Sequence, residues 1–126
     1  MKGIKKGDSD VIGFVISCLY HGTIDEREVK EWAVNVIGPN SIDDIPDYIF
    51  ELLDASDIRR KIGKVMGFSA SWKSSKNQYL ALYGINIKRQ KELFDAPVTP
   101  DKALILLAKH PEVEKKFRET FPFIEF

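Results

Sequence analysis

Cys18 and His21 are the one pair in this chain whose types and spacing suit metal or nucleophilic chemistry. They lie three residues apart and could share a helical face. A zinc site needs about four such ligands. The only other histidine is His110, and Asp25 is the nearest further candidate. A Cys–His nucleophilic pair also needs both side chains oriented and an oxyanion hole. The pair reads instead as a half-buried thiol and a histidine at a helix end. The glycines are scattered as stops and turns, with no phosphate-binding loop or nucleophile elbow. The expectation is a protein that is not an enzyme, with no metal site and no cofactor.

The carboxylates carry more information. Asp43, Asp47, Glu51 and Asp54 fall at i, i+4, i+8 and i+11, with Asp44 beside the first. On one helix they form an acidic stripe along the outer face. Asp25, Glu28 and Glu31 add a second patch on the preceding helix. The positive end of a helix dipole accounts for Asp43, Asp44 and Asp47, at about 0.3–1 kcal/mol each. It does not account for Glu51 and Asp54, which lie toward the negative end. No Lys or Arg occurs within residues 31–57 to neutralise the stripe locally.

The net charge is zero, but its distribution is uneven. Residues 1–57 hold 12 acidic and five basic side chains, a net of −7. Residues 58–91 hold nine basic and no acidic ones, and residues 92–126 a net of −2. The basic segment runs Arg59, Arg60, Lys61, Lys64, Lys73, Lys76, Lys88, Arg89 and Lys91, interleaved with Trp72 and Tyr79. Cations among aromatics suit nucleic acid, through phosphate contacts and stacking. Against that, the pI is near 6.7 and the acidic half would repel a phosphate backbone. The segment serves equally as an internal counterweight to the acidic helices.

The elements that position these charges follow from period and caps. The chain has 126 residues, 44% hydrophobic and 30% charged, which suits a single helical domain over 1–126. One cysteine fits a reducing compartment. The apolar run Val11–Leu19 follows Asp8 and Asp10 and lacks a small-residue cleavage site, so it reads as a core helix rather than a signal peptide. Nothing approaches the roughly 18 apolar residues of a membrane span.

Asp8 or Ser9 opens the first helix, and Val11, Ile12, Val15, Ile16 and Leu19 form its buried stripe. Thr23 and Glu26 are spaced as a capping box for the second, with Val29, Trp32, Ala33 and Val36 inward. Gly38-Pro39-Asn40 stops it. A third helix begins near Pro46, buried through Ile45, Ile49, Leu52 and Leu53. Ser56 or Asp57 caps a fourth, ended by Gly67.

The middle allows two readings. Phe68, Ala70 and Trp72 alternate, as do Tyr79, Ala81, Tyr83, Ile85 and Ile87, and a period of two permits a hairpin within 66–87 in an α+β fold. A Ser75–Gln78 capping box instead starts a helix running to about Phe94, with Tyr79, Leu82, Tyr83 and Asn86 on one face. The helical reading is preferred because Lys88–Glu92 continues without a turn signal. Gly84 weakens that helix by roughly 1 kcal/mol relative to alanine. Thr99-Pro100 and Pro111 open two last helices. The expected fold is all-α, an irregular bundle of six or seven helices.

Gly22-Thr23-Ile24, Glu28, Trp32-Ala33 and the acidic run Asp43-Asp44-Ile45-Pro46-Asp47-Tyr48-Ile49 resemble the small helical immunity proteins of bacterial polymorphic-toxin systems, including contact-dependent growth inhibition. The resemblance covers about residues 20–55 and contains no invariant chemical motif. It implies a cytoplasmic, non-catalytic protein that binds one cognate toxin domain, often a nuclease, and blocks its active site. A carboxylate stripe suits the cationic cleft of such a nuclease. The expected contact residues are Asp43, Asp44, Asp47, Tyr48, Glu51 and Asp54, then Asp25, Glu28 and Glu31. Tyr48 and Trp32 would be aromatic anchors if exposed, although its spacing puts Trp32 in the core. The alternative is a helical nucleic-acid-binding or regulatory protein using the basic segment 59–91.

Overall fold

The computed structural model describes residues 1–126. Seven α-helices follow in order: α1 (Asp10–Tyr20), α2 (Glu26–Ile37), α3 (Asp47–Asp54), α4 (Ile58–Met66), α5 (Lys76–Lys88), α6 (Pro100–Lys109) and α7 (Pro111–Thr120). A 3-10 turn, Ile42–Asp44, precedes α3. No sheet forms, and a single isolated bridge joins Lys5 to Asp8. The fold is all-α. Contacts gather the residues into two units, one of Met1–Leu19 with Asp25–Trp72, the other of Tyr20–Ile24 with Lys73–Phe126.

In the first unit the chain after α4 lies extended against α1. A Cβ on Gly13 would stand 2.4 Å from the Trp72 nitrogen, so only glycine allows the approach. The Trp72 ring meets Phe14 edge-on at 4.8 Å, and the Phe68 ring meets Tyr48 at 5.8 Å. The Ser71 N–H donates to Ser9 Oγ at 3.1 Å. The period of two at Phe68, Ala70 and Trp72 is therefore real: these residues are half-buried and Ser69 and Ser71 exposed. It marks an extended segment laid on helices, with no partner strand, and the hairpin alternative is not formed.

Three local expectations need correction. Thr23 does not cap α2. Its buried hydroxyl donates to Asn86, and Asp25 and Glu28 make the capping box instead: the Glu28 N–H donates to Asp25 Oδ1 at 2.8 Å and the Asp25 N–H to Glu28 Oε1 at 3.0 Å. Glu26 is thereby released to accept the Arg59 N–H at 2.8 Å, supplying a cap for α4. Asp57 holds the N-cap position of α4 with φ 54° and no side-chain cap, and its carboxylate pairs with Arg60. Helix α5 begins with the Ser75–Gln78 box as expected but stops at Lys88, short of Phe94. Gln90 turns the chain with φ 58°, and the Lys91 N–H closes the end on the Asn86 carbonyl at 2.8 Å.

In the second unit α5 crosses α6 at Gly84. A Cβ there would lie 2.7 Å from the Ala103 carbonyl oxygen and 2.8 Å from Leu107 Cβ. Tyr79, Tyr83 and Asn86 share the face of α5 that receives the segment Tyr20–Ile24. His21 is buried with both tyrosine rings within 4.4 Å, and its Nε2–H donates to the Tyr79 carbonyl at 3.2 Å. Asn86 accepts from Thr23 Oγ1 at 2.6 Å and donates to the His21 carbonyl at 3.0 Å.

The glycines give a paired prediction. Gly84→Ala should gain helix propensity yet lower stability by about 1–3 kcal/mol, because the methyl group overpacks against α6 backbone. Gly63→Ala, in helix α4 with nothing within 4 Å of its would-be Cβ, should raise stability by about 0.5–1 kcal/mol. Urea unfolding of the two variants checks both signs.

Candidate protein-interaction surface

The acidic residues begin on an irregular element. Pro46 cannot donate a helical hydrogen bond, so Asp43 and Asp44 sit on the 3-10 turn and α3 begins at Asp47. The five-carboxylate stripe is thus not on one helix: Asp47, Glu51 and Asp54 line α3, and the other two precede it. All five are exposed and none enters an ion pair. Burial of Ile45, Tyr48, Ile49 and Leu52 holds the other face of α3 inward. Asp54 closes α3 with no cation in its last turn, against the dipole.

Four expected contact residues have other work. Tyr48 is 4% exposed, and its hydroxyl donates to the Ile4 carbonyl at 2.5 Å. Burial pushes its phenol well above the usual range. It cannot anchor a partner, because the i+1 position beside Asp47 falls on the core side of the helix. Glu28 is 4% exposed and occupied in the capping box. Trp32 is buried. Asp25 is exposed but caps α2, and Glu31 pairs with Arg27 on the same helix. The second patch is therefore mostly spent on local structure.

The surface also holds a residue that the charge pattern hid. Ile42 is 71% exposed, immediately before Asp43 and Asp44. Its only sequence mark is an isoleucine among Asn40, Ser41, Asp43 and Asp44, and a lone apolar residue in a polar turn has no period to reveal its side.

The basic segment does not neutralise this surface. Arg60 pairs with Asp57 at 2.8 Å, and Lys88 with Glu114 at 2.6 Å. Arg89 donates to the Thr23 carbonyl. Arg59–Lys64 belong to the first unit and Lys73–Lys91 to the second. Cys18 is buried on α1, and no three His, Cys, Asp or Glu side chains converge as metal ligands would. No helix is long and apolar enough to cross a membrane.

No protein-family model, curated protein or solved structure matches the chain. The functional reading therefore rests on the chain's own geometry.

Tyr48→Phe separates structure from contact. Losing the hydroxyl leaves the Ile4 carbonyl unsatisfied and should cost about 1–3 kcal/mol of stability. Calorimetry should show that loss, while charge-dependent binding by the folded variant stays unchanged.

Proposed function

We propose that this protein is a non-catalytic binding protein, an immunity protein that neutralises a cognate bacterial toxin domain by covering a cationic cleft. One observation carries the reading: five exposed carboxylates without ion pairs, beside the exposed side chain of Ile42. The combination suits a protein partner. A polyamine or metal ion needs carboxylates alone, whereas an exposed isoleucine gains only by entering an apolar recess. Complementary charge would speed encounter, with association up to about 10⁸–10⁹ M⁻¹s⁻¹ at low salt. A toxin nuclease is the favoured target, because its cleft already binds phosphates. A cytoplasmic location belongs to the same reading.

The proposal requires a toxin reading frame beside the gene, and the test uses the purified domain that such a frame encodes. Asp47→Lys with Glu51→Lys should slow association about tenfold or more at low salt and weaken protection of the nuclease's substrate. Both side chains are exposed, so the double variant should keep its fold. Unchanged affinity and unchanged salt dependence would remove this surface from the interface.

The exposed cations of α4 support the second reading, nucleic-acid binding through Arg59–Lys91. It requires DNA or RNA affinity that falls steeply with salt. Fluorescence anisotropy with labelled duplex DNA and single-stranded RNA checks it, and no binding at low salt would eliminate it.

A further inference from the structure

We draw no further inference here: the strongest candidate, the apolar groove between α6 and α7 floored by Leu104, Leu107, Ala108 and Pro111, carries none because nothing in the structure shows what covers it.

Discussion

The rotation of α3 about its own axis decides what this protein shows to the outside. That rotation is fixed by burial of Ile45, Tyr48, Ile49 and Leu52, and by the hydrogen bond from the Tyr48 hydroxyl to the Ile4 carbonyl. An eight-residue helix has little stability of its own in water. Its packing supplies the stability and leaves one face outward. Asp47, Glu51 and Asp54 occupy that face because the core has taken the others. The acidic surface is thus a consequence of the core, and Tyr48 contributes to it from beneath.

The electrostatics are not optimised for the isolated chain. Like charges four apart on α3 repel by a few tenths of a kcal/mol, and Asp54 opposes the dipole at the end of the helix. Nearby cations are used elsewhere, as Arg60 is on Asp57 and Arg27 on Glu31. The junction of α3 and α4 is instead held by Glu26, whose carboxylate accepts the Arg59 N–H. A cationic partner would relieve the repulsion that the chain itself leaves in place.

Much of the fold was legible because helix ends have local chemistry. Ser75 with Gln78, Thr99 before Pro100, Pro111 and Gly67 all act as read. The errors arise where two local solutions overlap or where the deciding atom is distant in sequence. Thr23–Glu26 and Asp25–Glu28 both satisfy the capping-box spacing, and burial of Thr23 against Asn86 chose between them. Alternation at residues 68–72 correctly marked extended backbone, but only helix α1 at Gly13 shows what it lies on. Gly84 reads as a weak point of a helix until α6 is seen within contact of its missing Cβ. In the site, the outward set Asp47, Glu51 and Asp54 was readable from period alone. Tyr48 was misplaced because its neighbours' charges masked its register, and Ile42 was missed because a turn has no period.

Hydrogen–deuterium exchange of the full chain, alone and with the cognate toxin domain that the proposed function requires, tests the acidic surface most directly. The expected result is protection concentrated in Ile42–Asp54, with α2 beyond Asp25 little changed. Protection confined to other elements, with Ile42–Asp54 exchanging as in the unbound chain, would contradict it.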